Sequence, residues 1–144
     1  MNTKKCRDVM TEDLVYCWPE DPVSKVAQLM KKQDIGPVLI VDNEQARTLV
    51  GIVTDRDLAL KIVGEGRDPQ KTKVEEVMTR KLVTCHADDN VDNAIKAMAQ
   101  YQLRRIPVVG DNNRLVGIIS QADVATRVDE PEKTAEVVKE ISQS

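Results

Sequence analysis

Two stretches of the chain hold residue types that can do chemistry at matched spacing. In LVGIVTDRD (49–57) and LVGIISQAD (115–123) an apolar run with a single glycine leads to a Thr or Ser, and an Asp follows three residues later. Thr54 with Asp57, and Ser120 with Asp123, have the form of capping boxes that open a helix. In such a box the hydroxyl accepts from a free backbone N–H, and the carboxylate sits at the positive end of the helix dipole. The same arrangement suits a nucleotide. A helix N-terminus presents unpaired N–H groups to phosphate, and a carboxylate one turn in can accept both hydroxyls of a ribose diol. Capping accounts for the hydroxyl and the acid but not for Gly51 and Gly117. In strands crowded with β-branched side chains, each glycine is expected to leave room for a backbone or a ligand.

The elements that must position these groups are themselves written twice. VMTEDLVYC (9–17) matches VMTRKLVTC (77–85) at an offset of 68, which also pairs Asp21 with Asp89, Val23 with Val91 and Met30 with Met98. Beyond the loops DNEQART and GDNNR the offset becomes 66, pairing Gly51 with Gly117 and Asp57 with Asp123. A loop shorter by two residues explains the slip. Each copy reads as strand, helix, strand, strand, helix. The first strands are expected at Leu14–Cys17 and Leu82–Cys85. In the first helices Val23, Val26, Ala27 and Met30, and likewise Val91, Ala94, Ile95 and Met98, fall on one apolar face, with Asp21 as the expected N-cap before Pro22. Apolar runs Val38–Val41 and Ile106–Val109 and then Leu49–Val53 and Leu115–Ile119 follow. The last helices start at Thr54 and Ser120, with Leu58, Ile62, Val124 and Val128 facing inward.

A single copy of about 55 residues has a marginal core, so two packed copies give the duplication a stability rationale. The reading divides the chain into an N-terminal tail (1–8), a first repeat (9–66), a linker (67–73), a second repeat (74–128) and a C-terminal tail (129–144) expected to be helical. The fold class is α+β of an α/β type: two β-α-β-β-α repeats related by a pseudo-twofold axis and packed through their sheets.

Bulk properties exclude other classes. The 144 residues are 41% hydrophobic but only 2% aromatic, so the core is aliphatic. A net charge of −3 gives no global attraction to nucleic acid or to an anionic membrane, and neither is expected as a partner. No apolar run approaches the roughly 20 residues of a membrane span. The opening MNTKKCRDVM lacks the apolar stretch of a secretory signal. A cytoplasmic protein is expected.

Taken together, the repeated VMT…LV…C…D…V…A…M, then IPVV, then LVGIIS-x-x-D resemble a tandem pair of CBS domains, a Bateman module of the stand-alone kind. The resemblance covers nearly the whole chain. It implies two clefts between the repeats that take adenine nucleotides or relatives. Asp57 and Asp123 would hold ribose, Thr54 and Ser120 ribose or phosphate, and strand residues around the PVV motif, Pro107 among them, the base. Arg104 and Arg105 would point toward converging phosphates, with planar forks suited to phosphate oxygens. Their first-repeat counterparts, Gly36 and Pro37, carry no charge. Arg56 is a third candidate opposite Ala122, so unequal occupancy of the two clefts is expected. No enzyme activity and no obligatory cofactor are expected. The resemblance implies a regulatory sensor of AMP, ADP or ATP, or of S-adenosylmethionine or NAD, acting as a homodimer on an unidentified protein target.

Three cysteines without CxxC spacing do not form a disulfide framework. Cys17 and Cys85 occupy equivalent positions, and His86 adjoins Cys85. Buried structural thiols, a redox pair and the beginning of a zinc site are the alternatives. Cys6, in the tail, is expected to be exposed. A purely structural interaction module, with the Thr/Ser–Asp pairs acting as caps alone, and a redox- or metal-responsive switch using Cys17, Cys85 and His86 are the other readings of the chain. No P-loop and no nucleophile–His–Asp spacing is present, and a single histidine leaves proton-transfer catalysis few candidates.

Overall fold

A computed structural model describes residues 4–127. In chain order the elements are α1 (Cys6–Val9), β1 (Tyr16–Cys17), α2 (Val23–Gln33), β2 (Val38–Val41), β3 (Leu49–Val53) and α3 (Asp55–Asp57), which continues as a π-helical stretch over Leu58–Val63. Then come β4 (Cys85–His86), α4 (Val91–Tyr101), β5 (Arg105–Val109), β6 (Leu115–Ser120) and α5 (Gln121–Arg127). Short 3-10 turns occupy Val74–Glu76 and Asp111–Asn113. The order strand, helix, strand, strand, helix therefore occurs twice. The expected C-terminal helix and the inward position of Val128 lie outside the described residues.

Each repeat builds a three-stranded mixed sheet, β1-β2-β3 and β4-β5-β6. The first pair in each is parallel and the second antiparallel. Even the irregularities repeat. A register shift falls between Ile40 and Val41 and again between Val108 and Val109. The first helices end on left-handed residues at equivalent positions, Asp34 (φ 54°) and Gln102 (φ 55°). In each case the backbone N–H turns back onto a carbonyl of the last helical turn, which satisfies groups that a helix end leaves free.

The compact units do not coincide with the sequence repeats. One is Val15–Leu82; the other combines described residues 4–14 with 83–127. The leading segment of each repeat thus belongs to the unit that carries the other repeat's sheet. The exchange is reproduced bond for bond. Cys6 N–H donates to the Asp89 carbonyl and Arg7 N–H to that of Ala87, while Val74 N–H donates to Asp21 and Glu75 N–H to Pro19. Thr11 pairs with Ile118 in both directions, as Thr79 does with Ile52. The physical reason is the edge of the sheet: β3 and β6 each have unpaired backbone groups, and the leading segments satisfy them.

Each core is closed by this exchange. In Val15–Leu82, Val74, Val77 and Met78 complete a cluster of Cys17, Val23, Val26, Val38, Ile40, Val53 and Ile62. In the other unit Cys6 and Val9 join Cys85, Val91, Ala94, Ile95, Met98, Ile106 and Ile119, with Met10 packed against them. Residues 4–8 are consequently not a loose tail, and Cys6 is fully buried rather than exposed. Residues 67–73 are likewise no free linker. The Pro69 and Thr72 carbonyls accept from Ser24 and Val23 at the start of α2, and Thr72 is buried.

Two further expectations are corrected. Ala27 is exposed, and Leu29 packs on the core beside Met30, because the larger side chain offers more apolar area to bury. Pro22, not Asp21, is the N-cap of α2; the Asp21 carboxylate instead accepts from Trp18 N–H at 2.8 Å and pairs with Lys25 at 3.3 Å. The expected first strands shorten to Tyr16–Cys17 and Cys85–His86.

The strand glycines now have an explanation. A Cβ at Gly51 would lie 2.6 Å from Met78 Sδ, and one at Gly117 would lie 2.8 Å from Met10 Cγ. The space is filled by the methionine of each VMT segment, not by a ligand. Gly117→Ala should therefore destabilise the chain by about 1–3 kcal/mol through overpacking. Combining it with Met10→Ala should produce a loss smaller than the sum of the two, as expected for residues in contact. Urea unfolding of the four proteins checks this; full additivity would place the methionine elsewhere.

Candidate functional site

The sites of interest are the two corners where an antiparallel strand turns into a helix. At the end of β3, Thr54 is extended and caps α3. Its hydroxyl accepts from Asp57 N–H at 3.2 Å, and Asp57 Oδ2 accepts from Thr54 N–H at 2.9 Å. At the end of β6 the box recurs: Ser120 Oγ accepts from Asp123 N–H at 3.1 Å, and Asp123 Oδ2 accepts from Ser120 N–H at 2.8 Å. Both expected capping boxes form, and both aspartates are half-buried at a helix start.

The other oxygen of each carboxylate meets a different partner. Asp57 Oδ1 faces Lys61 Nζ at 3.2 Å, whereas Asp123 Oδ1 accepts from the Thr11 hydroxyl at 3.1 Å. One corner is thus partly neutralised by a cation, and the other is held by a neutral hydroxyl. Adding a ribose diol at Asp57 would compete with the ammonium; at Asp123 it would displace or share only a hydroxyl.

The structure brings most of the remaining candidates to these corners. Arg105 lies opposite Ser120 in the β5–β6 ladder, and the Arg104 carbonyl accepts from Gln121 N–H at 2.9 Å. Both arginine side chains are exposed, so two cations stand beside the Ser120–Asp123 corner. Pro107 is buried in β5 opposite Ile118. In the other unit Gly36 lies near the Asp55 carboxylate, 3.6 Å from where its Cβ would be. Arg56 is exposed on the first turn of α3. No cation occupies the Gly36 and Pro37 positions, so the charge asymmetry between the corners is real.

Sequence reasoning missed one pair of residues. Lys61 Nζ donates to the Val77 carbonyl at 2.8 Å as well as meeting Asp57. Arg127, its counterpart at offset 66, donates to the carbonyls of Val9 and Met10 at 2.9 Å each. A basic residue one turn beyond each Asp therefore fastens the exchanged VMT segment. The matched charge at that offset was the available signal.

The cysteines and histidine take separate places. Cys17 is buried in one core, and burial first, then the nearby Asp21 carboxylate, pushes its thiol up to about 11. Cys85 shares the other core with Cys6. His86 Nδ1 accepts from Asp88 N–H at 3.1 Å, and its Nε2 faces Asp111 at 3.6 Å. Among the described residues no group of three or more His, Cys, Asp or Glu side chains is placed to hold a metal ion. No helix among them is long and apolar enough to cross a membrane.

Lys61→Met keeps the aliphatic stem and removes both polar contacts. Since the side chain is 38% exposed, the expected loss of stability is modest, about 1 kcal/mol. Hydrogen exchange at Thr79 and Ile52 should speed up with it. An unchanged exchange rate at both amides would show that Lys61 does not fasten the segment.

Comparison with known proteins agrees with this geometry. The chain is 40% identical over 139 residues to the uncharacterised protein YlbB of Bacillus subtilis, covering 96% of this chain and 92% of that one. Among solved structures it is similar to the CBS domain pair of MJ0100 in complex with 5′-methylthioadenosine and S-adenosyl-L-methionine. There the TM-score is 0.68 at 30% identity, over 85% of this chain and 93% of that one. It is also similar to CBSX2 in complex with AMP, with a TM-score of 0.71 at 25% identity over 84% and 93% of the two chains. The CBS domain profile matches residues 6–64 and 74–130, and with the order of elements repeated within each match, the chain belongs to the CBS domain family as a tandem pair.

Proposed function

We propose that the chain is a regulatory module, not an enzyme, which binds an adenosine-containing nucleotide at its Thr/Ser–Asp corners and passes occupancy to a partner. The observation that carries this reading is the Ser120–Asp123 corner. A carboxylate able to accept a diol sits at a helix start, and two exposed arginines stand beside it. Carboxylate and guanidinium groups together match ribose and phosphate. The AMP complex of CBSX2 and the S-adenosylmethionine complex of the MJ0100 pair support the ligand class.

Occupancy is unequal in this proposal. Asp123 with Arg104, Arg105, Ser120 and Pro107 forms the stronger corner; Asp57 with Thr54, Arg56 and Gly36 forms the weaker one, because Lys61 already engages its carboxylate. Signalling follows from linkage: a ligand shifts an equilibrium by its differential affinity for two states. The Thr11 hydroxyl on Asp123 gives the ligand a route to the exchanged segment. Self-association as a homodimer belongs to the same reading, and the exposed Leu60, Val63 and Tyr101 supply apolar surface for it.

A second reading rests on a specific observation. The capping boxes and the methionines account for the glycine, the Thr or Ser and the Asp of each LVGI…D motif without a ligand. In that case the chain is a structural interaction module with nothing bound at the corners.

Calorimetric titration with AMP, and in parallel with ATP, NAD and S-adenosylmethionine, separates the two. Saturable binding of one ligand is expected, weakened about tenfold or more (roughly 1.4 kcal/mol) by Arg104→Ala and by Asp123→Ala. Circular dichroism would verify that both variants fold. Parent-like affinity in both variants, or no binding of any of the four, would favour the architectural reading.

A further inference from the structure

Tyr16, Trp18 and Arg47 meet in the unit Val15–Leu82, beside the turn that joins β2 to β3. The two aromatic residues flank Cys17, whose side chain enters the core, so alternation along the strand puts both rings on the other face. Their ring centroids lie 5.5 Å apart with the planes at 61°, and the Arg47 guanidinium stands 5.7 Å from the centre of the Tyr16 ring, within reach of a cation–π contact. All three residues are half-buried. None of the three side chains makes a hydrogen bond or an ion pair among the described residues. Arg47 Nε is shut away from solvent without an acceptor, while its Nη groups, the Tyr16 hydroxyl and the Trp18 indole N–H remain open to solvent.

The turn does not use the Arg47 side chain. Asp42 Oδ1 accepts from Asn43 N–H at 2.7 Å and from Thr48 N–H at 2.8 Å, and Asn43 Oδ1 accepts from Ala46 N–H at 2.8 Å. Arg47 contributes only its backbone N–H, to the Asn43 carbonyl at 2.8 Å. Its backbone is left-handed (φ 49°), a conformation strained for most side chains and better tolerated by Asn. The second repeat has Asn113 (φ 59°) at this point, two residues before its matching strand, and Thr84 and His86 in place of Tyr16 and Trp18. The architecture is therefore built once without these rings and without this guanidinium. A strained backbone and a buried nitrogen lacking an acceptor both destabilise the first unit, and such features cluster at binding sites.

We infer that Tyr16, Trp18 and Arg47 form a second ligand site, on the first unit alone, for a small aromatic carboxylate. Every open polar group of the cluster can donate, so its ligand brings acceptors. The planar guanidinium fork matches the two oxygens of a carboxylate, and the half-buried rings supply apolar area for a ligand ring. Glu20, Asp21, Asp42 and Glu44 flank the cluster in sequence, with Lys25 engaged by Asp21. That field opposes a doubly charged phosphate more than a single carboxylate. The site is separate from the Thr54–Asp57 corner, since the five residues of β3, about 17 Å of strand, lie between them.

Trp18 is the only tryptophan of the chain, so its emission reports on the cluster directly. Titration of the full chain with benzoate is expected to change that emission saturably at millimolar concentrations or below. Benzamide, which lacks the charge, and acetate, which lacks the ring, should each bind about tenfold or more weakly. Arg47→Asn installs the second repeat's residue on the left-handed turn. Its urea midpoint should equal or exceed the parent's, while benzoate affinity falls about tenfold or more. Asp123→Ala should leave the benzoate titration unchanged. The inference is overturned by absence of saturation, by benzamide, acetate or inorganic phosphate binding as tightly as benzoate, or by loss of the signal in Asp123→Ala. Parent-like affinity in Arg47→Asn, or a lowered urea midpoint that makes Arg47 a structural residue, would overturn it equally.

Discussion

Both cores depend on a methionine seated over a glycine in a strand of the other repeat: Met10 over Gly117 and Met78 over Gly51. A side chain at either glycine would occupy the methionine's place. The methionine reaches it only because its segment crosses to the other repeat's sheet, where Thr11 pairs with Ile118 and Thr79 with Ile52. The rest of each unit follows from that crossing. Val9 and Val77 enter the cores, Cys6 and Val74 close the ends, and Arg127 and Lys61 hold the segment's carbonyls from the far side. A repeat cut out alone would keep its sheet and lose the cover on it, which is the physical content of the duplication.

The same crossing distinguishes the two corners. Asp123 receives a hydroxyl from the exchanged segment itself, so whatever binds that carboxylate acts directly on the contact between segment and sheet. Asp57 is paired along its own helix with Lys61, and the lysine in turn holds the segment. One corner is coupled to the exchanged segment through a neutral hydrogen bond, the other through a cation. Arginines at 104 and 105, against Gly36 and Pro37, add charge on one side only. Near-identical architecture thus carries two unlike electrostatic environments.

The internal offset made the repeated element order, both capping boxes and nearly all of the second apolar face legible in the sequence. The partners of those elements were not. Pairing by similarity places VMT with the repeat it precedes, and nothing local in Met10 or Met78 tells which sheet edge it completes. The strand glycines therefore looked like room for a backbone or a ligand, and neither reading named the methionine. Cys6 looked exposed because a short basic stretch near the start resembles a tail, although offset 68 aligns it with an apolar Val74. Ala27 matched the helical period yet lost its place to the larger Leu29. The arginines beside Ser120 were legible because adjacency in sequence, Arg105 just before the buried strand, fixes their place in the ladder.

The central claim is that the Ser120–Asp123 corner is a ligand site and not only a helix cap. Two-dimensional amide NMR of the full chain during addition of AMP addresses it residue by residue. Saturating shifts concentrated at Ser120–Asp123 and at Arg104–Arg105, with smaller ones at Thr11 and weaker ones at Thr54–Asp57, are the predicted result. Shifts that are absent at AMP saturating for the calorimetric signal, or that fall away from both corners, would contradict it.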